Sequence, residues 1–379
     1  MKLIHLSDLH LGKRVNEFSM LEDQAYILGE IIQLIDQEHP DAVLIAGDIY
    51  DKSVPSAEAV ELFDSFLVRL AKRKLQVFAV SGNHDSPERI AFASRLIDGS
   101  GVHLSPVYHG TITPAVLTDQ FGPVHIYMLP FIKPVHVRRQ FPDREINSYT
   151  DAAAVAIEAM DPDPTVRNVL IAHQFVTGAT RSDSEEVSVG GLDNVDASVF
   201  APFDYVALGH IHSPQNISSE HIRYCGTPLK YSFSEAAQKK SVTVVELGKK
   251  GNLSVRTLPL QPKRDMVELK GTYEELTSRA FYENTTYRED YVHITLTDED
   301  VIMNALGKLR VIYKNVMKLD YDNTRTRHSA VVSGDDTVQG KDPNTLFSEF
   351  YQLQNNAPMS DQQAEYMRTV IEKIWEGEP

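Results

Sequence analysis

The chain has little cysteine and little positive charge. Cys225 is the single cysteine among 379 residues, so no intramolecular disulfide can form and no zinc cluster can be built from several thiolates. A lone cysteine is typical of a reducing compartment. Lys and Arg number 37 against 53 Asp and Glu, which gives a formal net charge of −16. This excludes a simple basic nucleic-acid coat, so contact with DNA would need local patches, metal ions or a more basic partner.

Long apolar runs are also missing. Ser7 and Asp8 interrupt the apolar start of the chain before the h-region of a signal peptide can form. No run approaches the roughly 20 apolar residues of a membrane span. The hydrophobic fraction of 42% is ordinary for a globular protein and excludes a disordered or fibrous chain. We therefore expect a soluble cytoplasmic protein with no membrane partner and about two domains.

The first two hundred residues alternate short apolar runs with amphipathic stretches. Strand, helix, strand, helix in this order predicts an α/β domain with a largely parallel core. The polar, Gly-rich stretch 182–191 is predicted to be a surface loop. Helices are predicted over 22–38, 56–72 and 87–97, and strands over 3–6, 42–46, 76–80, 124–129, 166–172, 205–208, 241–247 and 253–258.

The last third of the chain has a different organisation. A boundary is predicted at 259–264, followed by a small α/β unit with helices over 272–281 and 300–312. A polar stretch without apolar period then indicates a linker, and two helices over 346–353 and 360–375 close the chain. The predicted domains are 1–262, 263–322, a linker over 323–344, and a helix pair over 345–379.

Five short segments place Asp, Asn or His directly after predicted buried strands. The carboxyl ends of strands form the binding crevice of an open α/β sheet, so loops that are distant in sequence can converge there. Each segment alone is common as a turn, a cap or a buried histidine, whereas all five in this order predict one site. The segments are Ser7-Asp8-Leu9-His10, Gly47-Asp48-Ile49-Tyr50-Asp51, Gly82-Asn83-His84-Asp85, Ala172-His173-Gln174 and Gly209-His210-Ile211-His212.

The residue types in these segments indicate metal chemistry. Mixed carboxylate, imidazole and amide ligands suit manganese, iron or zinc better than calcium. Seven candidate ligands are too many for one metal with an open position, and they suffice for two metals that share Asp48. Such a pair stabilises the attacking and leaving oxygens of an in-line phosphoryl displacement. His84 would then protonate the leaving oxygen or stabilise the charge of the transition state. The ligands are Asp8, His10, Asp48, Asn83, His173, His210 and His212.

The ordered motifs D-x-H, G-D-x-x-D/H, G-N-H-D/E, a single His and G-H-x-H resemble the calcineurin-like metallophosphoesterase family. The resemblance implies an α/β fold in which a β-sandwich is flanked by helices, with a small α/β capping domain and a C-terminal helix pair. His84 would be the catalytic histidine, oriented with the help of Asp51, where some relatives carry His. One metal would be held by Asp8, His10, Asp48 and His212, and the other by Asp48, Asn83, His173 and His210.

Motifs outside the ligand set resemble one branch of that family, the bacterial DNA nuclease subunits. They are Tyr224-Cys225-Gly226-Thr227-Pro228 and Ser232-Phe233-Ser234-Glu235. The branch implies a nuclease that uses two Mn²⁺ per chain, with Mg²⁺ as a substitute, in DNA repair, recombination and replication. It implies ATP-dependent exonuclease action on double-stranded ends and endonuclease action on hairpins and blocked ends. The partner would be an SMC-type ATPase, bound through the C-terminal helices in a heterotetramer that contains a homodimer of this chain at the nucleoid.

Several surface assignments are less specific. Lys13 and Arg14 follow the first motif and are candidates for DNA phosphate contacts, whereas Arg138 and Arg139 are equally well explained as a solvated surface pair. The helices over 56–72 and 87–97 are candidate dimer contacts, although their apolar faces are also explained as core. The C-terminal helix pair is more apolar than an isolated pair should expose, which favours docking, with packing on its own domain or a dimer contact as the alternatives.

Two other functions remain open from the sequence. A phosphodiesterase or monoesterase for small nucleotides would use the same metal centre. The separate cap and apolar helix pair argue against it. A protein-binding scaffold that has lost its metals is the second alternative. The complete set of ligands and His84 argues against that.

Overall fold

The computed structural model describes residues 1–185, 193–324, 326, 342–355 and 358–375. These residues form two compact units, Met1–Met266 and Val267–Pro379. Within the described residues, no helix is long and apolar enough to cross a membrane.

The described residues of the first unit form two six-stranded sheets and two short two-stranded ribbons. The strands in chain order are β1 Lys2–Leu6, β2 Arg14–Val15, β3 Phe18–Ser19, β4 Ala42–Ala46, β5 Gln76–Val80, β6 Val102–Leu104, β7 Ala115–Asp119, β8 Gly122–Leu129, β9 Arg167–His173, β10 Phe175–Val176, β11 Asn194–Val195, β12 Tyr205–Gly209, β13 Gln215–Ile217, β14 Ser219–Tyr224, β15 Ser241–Leu247 and β16 Leu253–Pro259. The first sheet has the order β16-β15-β1-β4-β5-β6, and the second has the order β13-β14-β12-β9-β8-β7.

Each sheet has a parallel centre, as predicted. Strands β1, β4, β5 and β6 run parallel in the first sheet, with β15 antiparallel beside β1. Strands β8, β9, β12 and β14 run parallel in the second sheet. Parallel strands direct all their carboxyl ends to one edge, so the loops that follow them meet there.

The two sheets pack face to face. One core cluster joins apolar side chains of both sheets, among them Leu3, Leu44 and Phe78 from the first and Val169 and Ala207 from the second. A second cluster covers the other face of the second sheet with a helix, α6 Tyr149–Glu158. Near-continuous burial of β4 and β9 is typical of parallel strands with both faces covered. The fold is therefore a helix-flanked β-sandwich, and this expectation is confirmed.

Of the three helices predicted for the first unit, two are present with nearly the predicted bounds and the third is not. Helix α1 is Leu21–Glu38, and α2 is Ala57–Ala71 with Ser56 as its N-cap. The continuous helix predicted over 87–97 is wrong. Two short helices, α3 Pro87–Ile90 and α4 Ser94–Ile97, are separated by Ala93 at φ 59°. This left-handed conformation interrupts the helical hydrogen bonding. Helix α5 is Pro134–Gln140.

The second unit begins with a three-stranded sheet of β17 Met266–Gly271, β18 Tyr291–Leu296 and β19 Asn315–Tyr321. The predicted helix over 272–281 is divided at Ser278 into α7 Tyr273–Thr277 and α8 Arg279–Tyr282. The predicted helix over 300–312 is shorter, α9 Ala305–Arg310. Two further helices follow, α10 Pro343–Asn355 and α11 Asp361–Trp375. Most of the predicted linker over 323–344 lies outside the described residues.

Candidate metal centre

The polar segments that follow five parallel strands meet at one edge of the sandwich. Strands β1, β4 and β5 of the first sheet and β9 and β12 of the second lead into them. Groups of side chains offer ligand atoms within 4.8 Å of one another, namely Asp8 with His10 and His212, His10 with Asp48 and His84, and Asp8 with Asp48 and His173. The site is thus built where the two sheets come together.

One half of the centre is formed around two facing imidazoles. His10 Nε2 lies 3.1 Å from His212 Nε2, and it also lies 3.6 Å from Asp48 Oδ2. The Asp8 carboxylate completes this group. Two imidazole nitrogens and carboxylate oxygens at these distances form a donor set suited to a divalent transition metal.

The other half is formed around Asn83. Its Oδ1 lies 2.9 Å from His173 Nε2 and 3.0 Å from His210 Nδ1. His173 Nε2 is also 3.4 Å from Asp48 Oδ2. Since the same Asp48 oxygen faces His10 and His173, this carboxylate lies between the two halves.

The unsatisfied polar atoms fit a metal. Asp8 is fully buried, and its Oδ2 has no hydrogen-bond partner among the described residues. Burial raises the pKa of Asp8 to about 6, although the nearby His173 acts in the opposite direction. A buried carboxylate oxygen without a partner is destabilising. A divalent cation bound here would satisfy that oxygen and the facing imidazoles together.

The backbone at the ligands is strained. Asp8, His10 and Asp48 have φ values of 52°, 44° and 45°, and His210 has φ 105°. Such conformations cost about 1–3 kcal/mol each and persist where the surroundings enforce them. Asp85 helps to enforce them, because its carboxylate accepts hydrogen bonds from the backbone N–H groups of Ile49, Tyr50 and Gly82.

His84 is oriented by backbone contacts. The backbone N–H of His84 donates a hydrogen bond of 2.9 Å to Asp48 Oδ1. Its Nδ1 lies 3.0 Å from the carbonyl oxygen of Asp51, so Nδ1 carries the proton and donates it. The other nitrogen, Nε2, lies 4.0 Å from Asp48 Oδ2. The ring therefore directs Nε2 towards the metal ligands.

Asp51 contributes in two ways that the sequence does not distinguish. Its carbonyl oxygen orients His84, as described above. Its carboxylate lies 2.7 Å from Lys13 Nζ and 3.8 Å from His10 Nδ1. Asp51 thus orients the catalytic candidate His84, whereas its carboxylate pairs with Lys13 and lies near His10 without a hydrogen bond to it, and we describe Asp51 as a positioning residue.

Comparison with known proteins identifies the family. The family model described as "Calcineurin-like phosphoesterase" matches residues 1–214. The chain belongs to the calcineurin-like phosphoesterase family. It is accordingly a metal-dependent phosphoesterase. A second family model, described as "Type 5 capsule protein repressor C-terminal domain", matches residues 262–355.

Full-length relatives within this family are nuclease subunits. The SbcD subunit of nuclease SbcCD from Staphylococcus epidermidis is 32% identical over 100% of both chains. The protein of the same name from Staphylococcus saprophyticus is 30% identical over 99% of both chains. A crystal structure of a dimetal phosphatase from Danio rerio covers 69% of this chain and 98% of its own, at 10% identity and a TM-score of 0.41.

The two basic residues near this phosphoesterase centre differ in their surroundings. Lys13 is mostly buried. It pairs with Asp51 and lies 5.7 Å from the centre of the Tyr231 ring. Arg14 is exposed and donates to the carbonyl oxygen of Glu17. Much of the charge of Lys13 is therefore balanced within the protein. A DNA contact by either residue stays a prediction.

A chain of polar groups, of which Ser184 is half-buried and the others are buried, lies behind His212, and the sequence analysis did not predict it. Ser184 Oγ lies 2.6 Å from His212 Nδ1 and donates to the carboxylate of Glu235. Ser184 Oγ therefore accepts a hydrogen bond from His212 Nδ1, which leaves the lone pair on Nε2, the atom that faces His10. Lys240 Nζ lies 2.5 Å from Glu235 Oε2 and closes the chain.

Of the stretch 182–191, which was predicted to be a surface loop, the described residues 182–185 form no helix or strand, and Asp183 is exposed. Glu185 is buried, and its Oε1 accepts a hydrogen bond of 2.7 Å from the backbone N–H of His212. Residues 186–192 lie outside the described residues. The sequence analysis used the motif Ser232-Phe233-Ser234-Glu235 only as the signature of a family branch, although its Glu235 belongs to the chain of polar groups behind His212.

Proposed function

We propose that this chain is the DNA nuclease subunit of an SbcCD-type complex and hydrolyses phosphodiester bonds with two metal ions. The observation that carries the proposal is the similarity to the SbcD subunit of nuclease SbcCD, which extends over the whole of both chains at 32% identity. A small-nucleotide esterase would need only the first unit, whereas the similarity continues through the second.

The proposed ligand assignment follows the two halves of the centre. Asp8, His10, Asp48 and His212 would hold one ion, and Asp48, Asn83, His173 and His210 would hold the other. We propose Mn²⁺ as the working ion and Mg²⁺ as a substitute, since carboxylate, amide and imidazole donors suit Mn²⁺. Two bound divalent ions supply positive charge to the phosphoryl oxygens and lower the pKa of the attacking water.

The proposed role of His84 follows from its orientation. Nδ1 donates its proton in a hydrogen bond to the carbonyl oxygen of Asp51, so Nε2 is the ring nitrogen that would face the substrate. From there it would hold a phosphoryl oxygen or transfer a proton to the leaving oxygen. Asp48 is already bonded to the backbone N–H of His84, which links the position of the histidine to that of the shared ligand.

The partners proposed are double-stranded DNA ends, DNA hairpins and an SbcC-like SMC-type ATPase. In this proposal the sheet of the second unit caps the DNA. Helices α10 and α11 dock on the ATPase, and two copies of this chain pair within a heterotetramer at the nucleoid. An excess of acidic residues fits this arrangement, because the ATPase and the metals would then provide most of the phosphate neutralisation.

The test is cleavage of end-labelled linear duplex DNA by the purified chain with Mn²⁺, alone and with the SbcC-like ATPase and ATP. A chromogenic phosphodiester is assayed in parallel. We expect DNA loss that the ATPase and ATP stimulate. Turnover of the small diester without DNA cleavage under any condition would leave the metal centre intact and assign the chain to small phosphodiesters instead.

A further inference from the structure

A pocket of about 260 Å³ lies beside the metal centre. Its walls come from three places in the first unit, which are the segment after β5, the segment after β6, and the end of β8 with helix α5. Pro87, Tyr108, Pro130 and Phe131 form the apolar part of the walls. The pocket is slightly smaller than those that hold drug-sized ligands, roughly 300–1,000 Å³. It is therefore suited to a single planar ring system.

Phe131 lines the pocket and also contacts a residue of the metal centre. Its ring contacts the ring of His173 edge to face, with the ring centres 6.2 Å apart. The backbone N–H of Phe131 donates to the carbonyl oxygen of Ser81 at 2.9 Å, just before the segment that carries Asn83 and His84. A group in the pocket is thus separated from a metal ligand by one aromatic ring.

Tyr108 brings an unsatisfied polar atom to the pocket. The residue is 9% exposed, and its hydroxyl is buried without a hydrogen-bond partner among the described residues. Burial raises the pKa of Tyr108 to about 12, so the phenol keeps its proton under ordinary conditions. A buried hydroxyl without a partner is destabilising, so an acceptor atom from a ligand or a water molecule would stabilise it.

Polar side chains complete the lining. Glu88, His136, Arg139 and Gln140 border the pocket, and three of them, Glu88, Arg139 and Gln140, are exposed. Together they offer carboxylate, imidazole, guanidinium and amide groups. Both donors and acceptors are therefore within the lining, as the edges of nucleobases require.

We propose that this pocket binds the base of the nucleotide next to the phosphate that is cleaved. The inference rests on the proposed DNA substrate. A nucleotide carries its base one sugar away from its phosphate, and the pocket lies one aromatic ring away from the metal ligands. Stacking on Phe131 and Tyr108 accepts any base, because every base has a π-face. The Tyr108 hydroxyl then donates to an acceptor on the edge of the base.

The test compares two DNA substrates that differ by one base. One is an ordinary oligonucleotide, and the other carries an abasic tetrahydrofuran residue at the cleaved nucleotide. The readout is the ratio of kcat/KM for the two substrates. Loss of one stacked base is expected to reduce kcat/KM by roughly tenfold in the wild-type chain. Equal rates on both substrates would overturn the proposal.

Variants then locate the effect. Tyr108→Phe removes only the hydroxyl, and we expect it to lower the ratio roughly threefold to tenfold, as for one lost hydrogen bond. Phe131→Leu removes the aromatic wall and is expected to lower the ratio further. Tyr26→Phe is the matched control, since Tyr26 lies on α1 and is 41% exposed. If the pocket variants show the same kcat/KM ratio for the two substrates as the wild type, the pocket does not bind the base.

Failure of the proposed function is distinguishable from failure of the pocket. If the chain cleaves no DNA, the nuclease proposal fails, and the pocket is tested by titrating the metal-loaded chain with dAMP and with deoxyribose 5-phosphate. Tighter binding of dAMP, weakened by Tyr108→Phe and not by Tyr26→Phe, supports a base-binding pocket. Equal binding of the two compounds overturns it.

Discussion

His84 is the residue whose geometry most closely defines the reaction. Its ring approaches the shared ligand Asp48 only to 4.0 Å, through Nε2. We expect His84→Ala to keep both metals and DNA binding and to lower kcat by a factor of about 10²–10⁴, the usual contribution of a positioned acid or base. Metal content and cleavage of duplex DNA are measured on the same preparation.

The control for this variant is His109→Ala, because His109 is exposed and lies outside the centre. It should retain both activity and metal. Loss of bound Mn²⁺ in His84→Ala would show that the residue is a ligand rather than a catalytic group.

Glu235 contacts the proposed metal ligand His212 through Ser184, so we expect it to influence metal binding. Burial alone would raise the pKa of Glu235, but hydrogen bonding to His212 and the charge of Lys240 lower it to about 2, so it remains a carboxylate. We expect Glu235→Gln to weaken Mn²⁺ binding by about 10–100-fold, as for other residues that orient a metal-bound histidine. Isothermal titration of the apo chain measures this. Glu246→Gln, at an exposed site, is the control, and equal affinities in the two variants would argue against the role.

The cluster of proposed ligand residues could be predicted from the sequence, whereas the residues that support it could not. Each ligand follows an apolar strand within a few residues, so a local pattern reveals it. Ser184 and Glu235 are 28 and 23 residues from His212, and no local pattern relates them to it. Only folding brings them together. The same holds for Asp51, whose carbonyl and carboxylate have different partners.

At the scale of the elements, β1 contains a buried histidine that should make stability depend on pH. His5 Nε2 donates to the carbonyl oxygen of Leu208 at 3.1 Å, and Nδ1 accepts from the Tyr205 hydroxyl at 2.9 Å. Burial, with a smaller contribution from Arg223, lowers the pKa of His5 to about 3. The ring is therefore neutral in the folded state at neutral pH.

The sign of the effect follows from linkage. Below about pH 6.5 the unfolded chain protonates His5 and the folded chain does not, so stability falls as the pH falls towards 3. Between about pH 6.5 and pH 5 the loss is about 2 kcal/mol, at roughly 1.36 kcal/mol per pH unit. Urea unfolding of wild type and His5→Gln at both pH values measures it. An equal loss in the two proteins would contradict the assignment.

Gly209 ends β12 where the two sheets are closest. A Cβ there would lie 1.8 Å from the carbonyl oxygen of Ala46 and 2.8 Å from His173 Nδ1. We expect Gly209→Ala to destabilise the fold by about 1–3 kcal/mol and to weaken metal binding. Gly29→Ala in α1 is the control, and we expect the opposite effect on stability, since nothing lies within 4 Å of the new Cβ. It should stabilise the fold by about 0.5–1 kcal/mol. Thermal unfolding of both variants with and without Mn²⁺ measures their stability and their metal binding. Equal stability of the two variants would show that the sheets tolerate a side chain at Gly209.

The long amphipathic helices and the buried parallel strands were predictable because their periodicity extends over many residues. The short helices of the segment 87–97 were not. Phe92 and Leu96, two apolar residues of that segment, are 81% and 86% exposed. These two apolar side chains therefore do not pack on the core. An apolar pattern alone does not separate these cases.

For the whole molecule, the testable feature is the division of labour between the units. We expect a chain that ends after residue 340 to keep metal-dependent hydrolysis and to lose binding of the ATPase, because the complete ligand set lies within residues 1–266. Hydrolysis of the chromogenic diester and co-purification with the ATPase are the two measurements. Full co-purification of the truncated chain would show that helices α10 and α11 are not the docking elements.

Strand β1 leads into the first two ligands, yet its antiparallel neighbour in the middle of the sheet, β15, is made more than two hundred residues later. The chain under synthesis therefore reaches Asp8 and His10 first and can complete their surroundings only near residue 247. We expect fragments that end before β15 to lack the strand that flanks β1 and therefore to form no working centre. The order of the strands thus keeps a DNA-cutting activity silent until the sandwich is whole.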